Sequence, residues 1–278
     1  MNRLISFSSV SKDKLENNKI YWGGPANYGG LVWSAYKDKF NSNFTNIANI
    51  SKPDFVELSD FADYITPNYI DKTITFRITH KKGIRIVKLL TPSFSIARPK
   101  LLNKEINGNC IVISPIINEF KLSFYKSIFF AKPKTIFLDI FNNDNSKFSK
   151  LEIDLFNNIL ELNKRYSGKL FIKLSDNEAK PLLKKMKIDY RIYLLITYGK
   201  NGAKVVKNNK IICKVSGLKR KAISALGTGD VFLYSFVIFY NYNQSIKKSL
   251  IEANKIAAES TKYLTIEDFY EKIKCKII

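Results

Sequence analysis

The 278-residue chain is 45% hydrophobic and 25% charged, with 12 Gly and 8 Pro, which excludes collagen-like, low-complexity and wholly disordered classes and leaves enough chain for a sizeable core. Its three cysteines, Cys110, Cys213 and Cys275, lie too far apart for a disulfide framework or a CxxC metal site, and the single histidine, His80, excludes HExxH and multi-histidine zinc chemistry. The formal charge of +22 fits an anionic partner, but the lysines are scattered, densest at 184–187 and 219–221, and scattered charge reads as a solvated face.

In chain order, Leu4 to Ser8 reads as a short buried strand, Lys12 to Asn18 is polar, and Gly23-Gly24-Pro25 breaks the chain before an apolar-periodic helix from Ala26 to Tyr36. Strand, glycine turn, helix is the pattern of an α/β unit with a ligand near the turn. Thr73 to His80 alternates, with Ile74, Phe76, Ile78 and His80 on one face. Lys81-Lys82-Gly83 then turns into a β-branched strand at Ile84 to Leu90, so this hairpin reads as a flap on a larger body.

From Cys110 the texture is strand–helix alternation. Strands are expected at Cys110–Ile113, Thr135–Asp139, Leu170–Lys173 and Tyr190–Thr197, and the clearest helix is Leu151 to Tyr166, with Leu151, Leu155, Ile159 and Leu162 as its apolar stripe. Near-continuous apolar strands between amphipathic helices imply a parallel sheet covered on both faces. Ala203–Lys207 and Lys210–Val215 form a hairpin around Asn208-Asn209, and the tail is helical at Gly229–Tyr240, Ser245–Tyr263 and from Ile266. The expectation is one α/β domain over residues 1–278 with a small β lid at about 12–22 and 72–90. The longest apolar run, Val231 to Tyr240, is short of the about 20 residues that span a bilayer. No secretory signal is evident, so a cytoplasmic setting without membrane association is expected.

The segment Ser224-Ala225-Leu226-Gly227-Thr228-Gly229-Asp230 leads directly into that apolar run. Glycines at a helix N-terminus allow close backbone approach, and the amides and dipole there favour an anion. Asp230, just inside the turn, is placed to take a proton from a hydroxyl while the amides hold charge on a transferring phosphoryl group; the plain alternative is a helix cap.

Gly227-Thr228-Gly229-Asp230-Val231-Phe232 resembles the DTxGAGD signature of ribokinase-like carbohydrate kinases, the phosphofructokinase-B family. Further segments follow that family's order. Gly23-Gly24 with Pro25-Ala26-Asn27-Tyr28 is similar to its double-glycine signature, and Asp13 falls where a carboxylate binds substrate hydroxyls. Thr197-Tyr198-Gly199-Lys200-Asn201-Gly202 looks like the TxGxxG turn, Ser175-Asp176-Asn177-Glu178 like NxxE, and Ala253-Asn254 with Ala257-Ala258 like the small-residue helix beside adenine. The resemblance implies a three-layer fold, mostly parallel, with a β lid. It also implies a Mg2+- and ATP-dependent kinase acting on a sugar or polyol hydroxyl.

On that resemblance Asp230 is the base, and Gly227, Thr228 and Gly229 form the anion hole. Asp13, Gly23, Gly24 and Asn27 bind the acceptor, while Thr197, Gly199, Gly202, Ala253, Asn254 and Ala257 line the nucleotide pocket. Glu178 orients magnesium-bound water. A homodimer paired through the lid edge is compatible with it, and a specific nucleic-acid partner is not expected. A nucleoside kinase and a non-catalytic binding protein are the alternatives. The sequence departs from the pattern at Ser224, Thr228 and Ser175, and no basic residue follows Asp139 in Phe141-Asn142-Asn143-Asp144; Lys173 and Lys147 are candidates to replace it on reach alone. Where ribokinase and fructokinase patterns place Asn, Tyr28 stands, which shrinks the pocket and favours a small polyol or monosaccharide.

Overall fold

The computed structural model describes residues 3–41, 43–58, 63–81, 84–91, 94, 96, 99, 101–140, 148–185 and 191–277. Its first strand, β1 (Leu4–Ser9), is buried at all six positions because the sheet it enters is covered on both sides. In the neighbouring strands β8 (Cys110–Ser114) and β9 (Thr135–Asp139), alternate residues feed two cores. Cys110, Val112 and Phe137 enter one core, while Ile111, Ile113, Ile136 and Leu138 enter the other.

Nine strands form the main sheet in the order β13-β12-β11-β10-β9-β8-β1-β4-β5. The additional members are β4 (Phe44–Ser51), β5 (Thr66–Ile70), β10 (Lys169–Ser175), β11 (Ile192–Thr197), β12 (Gly202–Lys207) and β13 (Lys210–Ser216). All neighbours pair in parallel except β11–β12 and β12–β13, the hairpin expected around Asn208-Asn209. Both asparagines take positive φ, as its two-residue turn demands.

One face carries α1 (Pro25–Phe40), α7 (Thr228–Asn243), α8 (Ile246–Ser260) and α9 (Ile266–Ile277); the other carries α4 (Leu122–Phe130), α5 (Lys150–Lys164) and α6 (Asp176–Lys185). Every residue of α7 from Val231 to Asn241 is buried, so its apolar run is that of a helix enclosed by protein on all sides. Among the described residues no helix is long and apolar enough to cross a membrane. Two short helices, α2 (Lys52–Glu57) and α3 (Asn103–Ile106), are also present.

The apolar stripe expected on α5 is corrected. Leu151 is 69% exposed, and Phe156, Ile159 and Leu160 face the core, with Leu155 and Leu162 at its margin. The Ser149–Glu152 capping box fixes the helix start, and the inward face then runs through Glu152 and Phe156 rather than through Leu151.

A second sheet has the order β3-β2-β6-β7, from β2 (Ser11–Lys14), β3 (Ile20–Gly23), β6 (Ile74–Lys81) and β7 (Ile84–Leu89). Ile74, Phe76 and Ile78 are buried on one face, as their alternation indicates, and pack on Ile116 and Ile117 of the loop after β8. The side chains of His80 and Cys275, and residues Lys147, Met186, Lys187 and Tyr190, lie outside what is described. Cys110 and Cys213 are free thiols.

Candidate active site

A cleft of about 810 Å³ lies between the two sheets. Asp13 from β2 and Asp230 from α7 both line it, together with Tyr28, Phe76, Lys173 and Glu178.

One end of the cleft is built around Asp13, which is 4% exposed and takes a 2.9 Å hydrogen bond from Ser11 Oγ. Gly23 lies directly across β2–β3 from Ser11, and a Cβ there would sit 2.9 Å from Asp13 Cγ and 2.8 Å from Ser11 Oγ. Gly24 holds φ +85, with its missing Cβ 2.8 Å from Ser11 N. The paired glycines therefore make room for a buried carboxylate, and only glycine fits the second position without strain. Asn27 is placed differently from its neighbours in the motif. It is fully buried, its amide donates to Trp22 O (3.1 Å) and Glu267 Oε1 (3.3 Å), and Tyr64 Oη donates to its oxygen (2.7 Å). It anchors α1 to α9 and does not line the cleft.

The opposite end is the start of α7. Gly227 is its N-cap at φ +66, and no side chain caps the helix. The Tyr28 ring packs where a Gly227 side chain would stand. Tyr28 thus narrows the cleft, and it does so by bracing the turn itself. The Thr228 hydroxyl is buried without a hydrogen-bond partner among the described residues, and Thr228 itself does not line the cleft as Gly227 and Gly229 do. Ser224, where the signature has an acid, accepts from Leu226 N at 3.2 Å, and its own amide donates to Thr261 O at 3.1 Å. That serine shapes the turn.

Between the two ends stands Lys173, from β10. Its Nζ is 2.9 and 3.0 Å from the Asp139 carboxylate oxygens and 3.2 Å from the position of a Gly229 Cβ, beside the first turn of α7. Burial alone would lower the Lys173 pKa, but Asp139, Glu178 and Asp230 together hold it above the usual lysine value, so it stays cationic. Burial pushes the Asp139 carboxyl up to about 6 against the pull of that ammonium. Lys173 supplies the positive charge that the sequence lacks after Asp139. In the sequence it stands only as a candidate on reach; the fold makes the pairing, because β9 and β10 run side by side with Lys173 opposite Asp139.

Glu178 begins α6. One of its oxygens accepts from Ser175 N at 2.6 Å, and its amide donates to Ser175 Oγ at 3.3 Å, a reciprocal cap in which serine replaces asparagine. The same carboxylate lines the cleft. Among the described residues no group of three or more His, Cys, Asp or Glu forms a metal cage. A single cleft carboxylate such as Glu178 is compatible with a magnesium ion, which keeps much of its water and takes one or two protein carboxylates.

The residues assigned to the nucleotide lie apart from this cleft. Gly199 (φ +51) and Gly202 (φ +98) flank a 3-10 turn after β11, with open space at Gly199, and Thr197 Oγ1 donates to Leu174 O at 3.4 Å. Ala253 and Ala257 are 0% and 6% exposed within the core, and Asn254 Nδ2 donates to Ser216 O at 3.0 Å. None of the six lines the cleft.

Sequence reasoning missed Glu119. It is fully buried after β8 and accepts from Ile116 N (3.0 Å), Ile117 N (2.8 Å) and Ser9 Oγ (3.1 Å). A lone acid in an irregular segment carries no periodic signal.

No family model matches the sequence, and no curated protein matches it significantly. Solved structures do match in shape. A ribokinase from Cryptococcus neoformans var. grubii serotype A, in complex with ADP, superimposes with a TM-score of 0.72 at 14% identity, covering 99% of this chain and 100% of that one. A nucleoside kinase from Methanocaldococcus jannaschii gives 0.65 at 15% identity, covering 99% of each chain. A pyrophosphate-dependent kinase in the ribokinase family, complexed with a pyrophosphate analog and myo-inositol, gives 0.67 at 13% identity, with 100% of both chains covered. Over its whole length the chain has the ribokinase-like fold.

Proposed function

We propose that the protein is a kinase that transfers a terminal phosphoryl group to a hydroxyl of a sugar or small polyol, with Asp230 as the base. The observation that carries this reading is the single cleft shared by Asp13, Asp230 and Lys173 at the uncapped start of α7. Asp13 accepts hydrogen bonds from acceptor hydroxyls and fixes the reacting one. Asp230 takes its proton as the oxygen attacks the terminal phosphorus and the bond to the donor's bridging oxygen breaks. Lys173 and the α7 amides balance the charge on the phosphoryl oxygens. Magnesium bound with the donor would neutralise further phosphate charge, with Glu178 holding its water. The lid strands exclude bulk water, so the acceptor hydroxyl attacks in its place.

The donor is ATP in this reading. A second donor, inorganic pyrophosphate, is favoured by one observation: the two alanines expected to flank a base are core residues of α8. The phosphate-binding features at α7 and Lys173 serve either donor. The test is a matrix of ATP and pyrophosphate against sugars, polyols and nucleosides, read by 31P NMR of the phosphoester formed. A polyol or monosaccharide phosphate is the expected product. A folded protein that yields no phosphoester from any pair would end the kinase reading in favour of a binding role.

A further inference from the structure

The loop after β8 is the seat of the lid. Ile116 and Ile117 pack against Ile74, Phe76 and Ile78 of β6, with Leu226 of the anion turn at the margin of the same cluster. A Cβ on Gly24 would lie 2.9 Å from Ile116 Cδ1, so this loop also presses against the double glycine. Pro115 and Ile116 line the cleft. The backbone of the seat is held by one side chain: both amides, of Ile116 and Ile117, donate to the Glu119 carboxylate.

That carboxylate is also tied to the main sheet. Ser9 Oγ donates to Glu119 Oε1, Asn49 Nδ2 donates to Ser9 Oγ at 2.8 Å, and Asn68 Nδ2 donates to Asn49 Oδ1 at 2.6 Å. The chain thus joins the loop to β1, β4 and β5, at the point where β1 passes through Val10 into the lid strand β2. Phe76, which rests on the seat, is the register partner of Asp13. A shift of the loop therefore moves β6 and the acceptor-binding carboxylate together, whereas Lys173 and Asp230 belong to other elements.

We infer that Glu119 is a positioning residue for the acceptor substrate: it fixes the seat on which the lid rests and so sets where Asp13 meets the acceptor. This rests on the kinase reading for its kinetic consequence, but not for its structural one. Glutamine cannot replace it. Oε1 serves Ile116 N and Ser9, and Oε2 serves Ile117 N, so either orientation of an amide puts NH2 against a backbone N–H. A neutral carboxylic acid has no such conflict, because its proton can go to Ser9.

The experiment compares wild type with E119Q and with S9A, a milder change that spares both loop amides. Hydrogen exchange without ligand is read over Ile74–Ile78 and, as an internal control, over Thr135–Asp139. Expected is roughly tenfold faster exchange at Ile74–Ile78 in E119Q, the consequence of one unpaired buried amide, with Thr135–Asp139 unchanged and S9A shifted less in the same direction. In the kinase assay, the acceptor KM should rise roughly tenfold while the donor KM stays within about twofold. Exchange at Ile74–Ile78 equal to wild type in both variants overturns the inference, whatever the activity. Equal rises in the two KM values also overturn it. If E119Q does not fold, S9A decides by the same two readouts. Absence of phosphoryl transfer in wild type would defeat the kinase reading, while the exchange result would still decide the role of Glu119.

Discussion

The cleft and the α8 face carry motif segments of similar length, but they fold into different things. At the cleft, glycines are demanded by geometry, at Gly24 and Gly227 by positive φ and at Gly23 by a carboxylate with no room to spare, and they surround buried charge. On α8, Ala253 and Ala257 are buried in the core and do not line the cleft. Backbone constraint joined to buried charge marks a site, because a plain core would tolerate neither. Small residues at helical spacing mark packing first.

The largest break of this contrast is Asp230→Asn. It should lower kcat by roughly 10²–10⁴ with donor binding retained, measured by steady-state kinetics and donor titration. A rate near wild type would return Asp230 to the role of a helix-start acid. Next is Lys173→Met. It should cost roughly 10²-fold in kcat. Because it strands Asp139 in the interior, it should also cost about 3–5 kcal/mol in stability. The double variant with Asp139→Asn separates the two effects: denaturant unfolding should recover much of the stability and kinetics none of the rate. Recovery of both would make Lys173 a structural ion-pair partner only.

Asp13→Ala sharpens the acceptor end. Its acceptor KM should rise roughly 10- to 100-fold, the loss of one or two charge-assisted hydrogen bonds, with donor KM unchanged. On the α8 side, Ala253→Leu should cost about 1–3 kcal/mol in unfolding free energy through overpacking. Donor KM should not move in the folded fraction, and a selective rise in the ATP KM would restore the base pocket to this face. The smallest effect is in pH. Burial raises Glu119 from 4.5 to about 7, so the folded protein holds this proton more tightly than the unfolded chain. Its contribution to stability is complete below pH 4.5 and lost as pH rises through about 7. Melting curves of E119Q should lack that decline, and a parallel slope in wild type and variant would assign it elsewhere.

Much of this architecture is legible in the sequence because the buried strands β1, β8, β9, β10 and β11 are written as apolar runs. The strands that escape notice do so for a physical reason. β4 buries Asn46 and Asn49, which serve Ala26 O and Ser9 Oγ, and β2 is a polar strand built to carry Asp13. Of the site, Gly227 and Asp230 announce themselves as a glycine turn opening an apolar helix and Gly24 as a break before one, whereas Asp13, in a polar segment, is reached only through the family resemblance. Asn27 sits in the double-glycine motif, yet its amide is consumed by nearby Trp22 and by Tyr64 and Glu267, two partners that only the folded chain brings near. Lys173 and Glu119 matter through tertiary partners too, and no local pattern encodes those.

The most direct measurement is phosphoester formation by wild type and Asp230→Asn in parallel, with ATP and pyrophosphate as donors and a polyol panel as acceptors. Wild type should form a polyol phosphate from at least one donor, and the variant should form it at a hundredth of that rate or less. Equal rates in the two proteins, or no phosphoester from a folded wild type, would contradict the account.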